Sequence, residues 1–294
     1  MGILDPISLF ISSSDMKHFI QKTLIYITVV LLIIIPVDIF KIYSQNYVTT
    51  VVGSEVYCAI SKSHKKGKVK KLILGDSVGC QLYPCEKEYD SILSLACNQG
   101  ITLAGQYFLL KNFIESNRDS FPDEVVLLIT PFSLGNDVDK HAYQYFLKPF
   151  PSYKWSEEYT EHLKQRIHSI PFYWTANMPL IQTSSYTPKW AIPSSPSIKK
   201  SMSPLSYQYL LKMDSLANAN NIDFRMISTP VRDDRKNDIV SFWENLPTEY
   251  MSHLSELLEP YKESVMYLPS EWYSDHLHFV GEKTPDDYLN LLSE

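Results

Sequence analysis

Cysteine is scarce in this chain: four residues among 294, Cys58, Cys80, Cys85 and Cys97. That is too few for a disulfide-built scaffold, and no Cys-x-x-Cys pair offers zinc its usual spacing. Cys80 and Cys85 stand close enough in sequence to pair in an oxidising compartment, whereas Cys97 lies in an apolar run and reads as a small core residue. A strong excess of one charge is missing too. A formal net charge of -6 gives no basic footprint for a polyanion, so nucleic acid is not expected as a partner. There is no phosphate loop of the Gly-x-x-x-x-Gly-Lys type, no dinucleotide glycine fingerprint and no His-Glu-x-x-His. No internal repeat marks a solenoid.

What is present is a chain with 45% hydrophobic and 20% charged residues, enough for one substantial core. Near its start, Thr23 to Val37 carries no charge and is dominated by Leu, Ile and Val. With Phe19, Ile20, Ile39 and Phe40 around it, the run approaches the ~20 residues that span a bilayer. We therefore expect a cytoplasmic segment over 1–18, a transmembrane signal anchor over 19–42 and a linker over 43–68. The main domain is expected over 69–294, with a Pro/Ser/aromatic insertion at 148–204. A buried helix of a soluble protein is the rival reading of the apolar run, since Lys22 and Asp38 shorten it. No small-x-small site follows it, which favours an uncleaved anchor. Lys17 and Lys22 before the span, against Asp38 and Lys41 after it, favour a single-pass protein with its main domain on the extracytoplasmic side of the cell envelope. The basic run Lys62, Lys65, Lys66, Lys68, Lys70 and Lys71 argues the other way.

Five short apolar runs read as strands: Val69–Leu74, Ser91–Cys97, Glu124–Thr130, Phe224–Pro230 and Ser264–Leu268. Helical patterns separate them, around Glu157–His168 and Leu205–Ala217 among others. The fold class predicted is α/β, a three-layer α/β/α sandwich around a five-stranded parallel sheet. The first run ends in Gly75-Asp76-Ser77, delivering a serine to the carboxyl edge of the sheet, where α/β proteins bind ligands. A turn that merely caps a helix is the plainer reading. After the last run comes Trp272-Tyr273-Ser274-Asp275-His276-Leu277-His278-Phe279. An Asp three residues before a His can hold the imidazole Nδ1–H and leave Nε2 facing a serine.

Gly-Asp-Ser near the start and Asp-x-x-His near the end together resemble the SGNH (GDSL-like) hydrolase family, over about Lys70 to Gly281. The resemblance implies an SGNH-like catalytic domain with Ser77 as nucleophile, His278 as base and Asp275 orienting it. It also implies an oxyanion hole made by the Ser77 and Gly105 N–H groups and the Asn136 amide. Gly105 is expected directly before a helix starting at Gln106, with Gly100 as competitor. Asn136 sits in Gly135-Asn136-Asp137, similar to the family's Gly-x-Asn-Asp block although its glycine is one position closer. Either glycine, or the Asn-Asp pair, also reads as an ordinary turn. His276 is the alternative base. Asp275, His276 and His278 lack an upstream cluster, so neither a metal nor another cofactor is expected.

One anchor ahead of such a domain is similar in layout to extracytoplasmic partners of membrane-bound O-acyltransferases. That likeness implies an acylated glycan or other ester as substrate and a polytopic membrane partner that delivers the acyl group. The expected activity is serine-dependent acyl transfer, as an esterase or an O-acyltransferase acting on a cell-envelope polysaccharide. The alternative is a catalytically silent module whose aromatic insertion binds a glycan or the membrane partner.

Overall fold

The computed structural model describes residues 13–39, 51–98, 101–138, 150, 153, 156–170 and 201–280. Gly100 and most of the insertion, with Trp155, Phe172, Tyr173, Trp174, Tyr186 and Trp190, lie outside the described residues. The chain divides into two units. The N-terminal unit contains helix α1 (Ser13–Ile39), whose Met16–Ile33 stretch is long and apolar enough to cross a membrane and is not buried. The same length and composition suit a signal sequence equally.

The larger unit begins with α2 (Val51–Ser63), in a region expected to be linker. Val56 and Ala59 on this helix are buried in the main core, and Asn112 Nδ2 donates to Ser63 Oγ at 3.3 Å. The segment is therefore part of the domain. There follow β1 (Lys71–Gly75), α3 (Ser77–Leu82), β2 (Ile92–Ser94), α4 (Thr102–Ser116) and β3 (Glu124–Ile129). Beyond them lie α5 (Glu161–His168), α6 (Pro204–Ala219), β4 (Asp223–Ser228) and β5 (Val231–Arg232). Last come α7 (Lys236–Glu244), α8 (Thr248–His253), α9 (Ser255–Glu263) and β6 (Tyr267–Leu268).

The main sheet is parallel, in the order β2-β1-β3-β4. Its central strands are apolar at nearly every position because both faces are covered. Leu72, Leu74, Val125, Leu127 and Met226 face a core closed by α2, α4, α6 and α9. Ile73, Val126 and Leu128 face the other way, toward Val78 and Leu82 of α3 and Tyr273 and Phe279 of the closing loop. Each such side chain contributes about 1.5–3 kcal/mol on burial, so the thin second layer is held to the sheet mainly by these contacts.

Among the described residues the sheet has four strands, not the five expected. Pro230 follows β4, and having no N–H it cannot extend the ladder with β3. The chain resumes beyond it as β5, which pairs in parallel with β6 as a separate two-stranded ladder. The run expected as the fifth strand thus forms its only ladder outside the main sheet.

Cys85 is not joined to Cys80. Its thiol is hydrogen-bonded to that of Cys58 on α2, and all four cysteines are free.

Candidate functional site

The β1 strand ends at Gly75, and the chain turns at once into α3 with Asp76 as N-cap and Ser77 as first helical residue. The tightness of this turn is set by packing. A Cβ on either Gly75 or Gly79 would stand 2.5 Å from the Leu128 carbonyl oxygen of β3, so only glycine lets α3 lie this close to the sheet. Asp76 is buried, and its carboxylate accepts four hydrogen bonds. Val78 N–H and Gly79 N–H donate to Oδ1, both at 3.0 Å. Thr130 N–H and Ser133 Oγ–H donate to Oδ2 at 2.9 and 2.6 Å. Burial pushes its pKa upward and these four donors pull back against that rise. One side chain thereby ties the serine turn to the loop that follows β3.

At the other end of the domain, residues 272–280 form a loop closed on itself. Ser274 N–H donates to His278 O at 2.8 Å, Val280 N–H to Trp272 O at 2.9 Å, and Tyr273 and Phe279 make an antiparallel bridge. Inside it, Asp275 Oδ1 accepts the Leu277 and His278 N–H groups, both at 2.7 Å. Asp275 Oδ2 meets His278 Nδ1 at 2.8 Å. Burial alone would raise the Asp275 pKa, but the His278 and Leu277 donors hold it below the ordinary carboxylate range.

The two ends of the domain meet. Ser77 Oγ lies 2.8 Å from His278 Nε2 across 201 residues of sequence. A carboxylate on Nδ1 leaves Nε2 as the unprotonated nitrogen of a neutral ring, able to accept the serine proton. His276 makes no hydrogen bond to Ser77, whose hydroxyl meets His278 instead, and burial moves the His276 pKa down. From the far side, Arg232 Nη1–H donates to the Asp275 carbonyl at 2.9 Å while Asp234 grips the guanidinium at 2.7 and 2.6 Å.

Beside the serine turn is a small cavity lined by Asp76, Thr102, Leu103, Gln106, Ile129, Ser133 and Asn136. Asn136 reaches it from the end of the 3-10 turn Pro131–Gly135, and its carbonyl accepts from Ser203 Oγ at 2.7 Å. Gly105 does not line it. The helix α4 starts at Thr102 rather than Gln106, which places Gly105 in the helix interior, where a Cβ would stand 2.6 Å from Ile101 Cβ. The groups at the start of α4 are Thr102 and Leu103, and their first-turn position leaves N–H groups without intrahelical acceptors. Thr102 has a φ of 57°, costly for a β-branched residue. Its buried Oγ1 has no hydrogen-bond partner. No local signal announces this start, because Ile101 at the N-cap makes no side-chain cap bond.

No protein-family model and no curated protein matches the chain. A solved structure described as "a putative platelet activating factor from Streptococcus pneumonia" is similar, with 14% identity over 81% of this chain and 94% of that one and a TM-score of 0.34.

Proposed function

We propose that the domain is an SGNH-type serine hydrolase or acyltransferase acting on esters through an acyl-serine intermediate. The observation that carries this reading is the relay from Ser77 Oγ through His278 to Asp275, 2.8 Å at each step. In the proposed reaction Ser77 Oγ attacks the ester carbonyl carbon while its proton passes to His278 Nε2. Asp275 holds the ring and stabilises the imidazolium. The tetrahedral oxyanion is taken by the Ser77 N–H, the N–H groups of Thr102 and Leu103 at the start of α4, and the Asn136 amide. When the carbonyl re-forms, the leaving alkoxide takes the proton from His278. An acceptor hydroxyl then gives its proton to His278 and attacks the acyl carbon; as the acyl–Oγ bond breaks, His278 hands that proton to Ser77 Oγ and both residues return to rest.

With water as acceptor the outcome is an esterase; with a sugar hydroxyl it is an O-acyltransferase. We favour an acylated cell-envelope polysaccharide as substrate, with a membrane-bound O-acyltransferase as the protein that delivers acyl groups. What supports that choice is the apolar helix ahead of a domain whose relay is half exposed, open to a bulky ester. The test is labelling of full-length protein with a fluorophosphonate. Ser77 reacts in the wild type and Ser77→Ala does not. A folded protein that takes no label would sink both enzymatic readings and leave the silent binding module. Incubation with an acetylated donor and a sugar acceptor then separates transfer from hydrolysis, by acetyl on the sugar or as free acetate.

A further inference from the structure

We propose that Gln81 is a positioning residue that docks the histidine loop onto the nucleophile helix and so sets the Ser77–His278 separation; this rests on the serine reading above. Ser77 and Gln81 are four residues apart on α3, hence on one face of the helix. Ser77 Oγ meets His278 Nε2. One turn along, Gln81 Oε1 accepts the N–H of the next residue, Phe279, at 3.0 Å, and Gln81 Nε2 donates to the Phe279 carbonyl at 3.4 Å. The amide thus mimics a strand neighbour and takes both backbone groups of Phe279.

The need for such a contact follows from how the loop is built. Its internal bonds, from Ser274 to His278, Val280 to Trp272 and Asp275 to His278, fix the Asp–His geometry within the loop. None of them fixes where the loop lies relative to α3. The apolar contacts of Tyr273 and Phe279 with Val78 and Leu82 hold it down but are not directional. The paired hydrogen bonds of Gln81 are directional, and they act at the residue adjoining the base. The Gln81 side chain hydrogen-bonds to neither Ser77 nor His278 and has no place in the chemistry itself.

The test uses full-length protein in detergent with Gln81→Met, which keeps the side-chain length and removes both bonds. Gln81→Glu keeps the acceptor for Phe279 N–H. Hydrogen–deuterium exchange is expected to rise across 274–280 in Gln81→Met, with β1 and β3 unchanged, and to stay near wild type in Gln81→Glu. Unchanged exchange in Gln81→Met overturns the proposal whether or not Ser77 reacts with anything. Where the wild type takes the fluorophosphonate, Gln81→Met labels about 10-fold more slowly and loses a similar factor in kcat for a small ester, while KM stays within about twofold. Gln81→Glu recovers most of that rate. A Gln81→Met protein with faster exchange but wild-type labelling also overturns the positioning role. A folded wild type that takes no label defeats the serine reading instead, and the exchange result still decides whether Gln81 docks the loop.

Discussion

Asp275 grips His278 twice, through its backbone N–H at 2.7 Å and its ring Nδ1 at 2.8 Å, with a different carboxylate oxygen on each. The first bond shapes the turn and the second sets the tautomer, so a substitution can separate them. Asn at 275 keeps an oxygen for the Leu277 and His278 N–H groups but presents an amide to Nδ1, favouring the wrong tautomer. With Asp275 half exposed, we expect Asp275→Asn to lower kcat for ester hydrolysis by about 10²–10³-fold while leaving thermal stability close to wild type. Near-wild-type turnover in this variant would remove Asp275 from the relay.

Acid stability should depend on Glu158. Burial alone would raise its pKa, but Lys111 Nζ at 2.7 Å, Tyr107 Oη at 2.6 Å and Lys212 Nζ at 3.0 Å hold it at about 2. The folded value lies below the usual 4.5. The stabilisation is therefore fully present above the unfolded value and is lost as pH falls toward about 2. Asp275, also depressed, acts in the same direction. Denaturant titrations between pH 5 and 2 should show a steeper loss for wild type than for Glu158→Gln, which starts less stable at neutral pH. Parallel curves would mean that the ion cluster joining α4 to α6 contributes nothing.

Gly79→Ala tests the packing that presents the serine. The added Cβ meets a main-chain oxygen, Leu128 O at 2.5 Å, which cannot rotate away. Either α3 or β3 must shift, at a cost of about 1–3 kcal/mol. A shift of α3 lengthens the Ser77–His278 contact, so activity at temperatures below unfolding should fall as well. A stable, fully active Gly79→Ala would show that α3 does not need its close approach to the sheet.

Thiol reactivity should single out Cys58. Its hydrogen bond with Cys85 holds its pKa below the usual thiol value, and it is only partly buried. Cys80 is pushed up to about 12 and Cys97 well upward, both chiefly by burial. Iodoacetamide on the native protein, read by peptide mass, should modify Cys58 first and Cys80 and Cys97 only after unfolding. Uniform labelling of all four would contradict the burial of Cys80 and Cys97.

Local signals in the sequence located some parts of the site and long-range ones did not. Leu72–Leu74 and Val125–Ile129 are continuous apolar runs, and continuity is the mark of strands buried on both faces, so their places were legible. Asp275 and His278 interact within one turn, which is also a local property. That β6 pairs with β5 rather than with the main sheet depends on how Pro230 ends one ladder, a tertiary outcome with no signal in the Ser264–Leu268 run itself. The start of α4 was hidden for a related reason: Thr102 enters the helix through a left-handed φ and no capping side chain announces it. An expected start at Gln106 instead of Thr102 is what put Gly105 directly before the helix and made it the expected oxyanion donor.

The two assignments of the oxyanion hole make opposite predictions. If the start of α4 and the Asn136 amide receive the developing charge, Asn136→Ala should lower kcat by about 10²–10³-fold with little change in KM, because the bond is made chiefly in the transition state. Gly105→Ala should act differently. Its Cβ would press on Ile101 at 2.6 Å, disturbing the first turn of α4 from within the core, so stability should fall first and kcat only as far as Thr102 and Leu103 are displaced. Measuring melting temperature and kcat for both variants separates the cases. A Gly105→Ala protein with wild-type stability and a loss of kcat as large as that of Asn136→Ala would return the donor role to Gly105 and count against the start of α4.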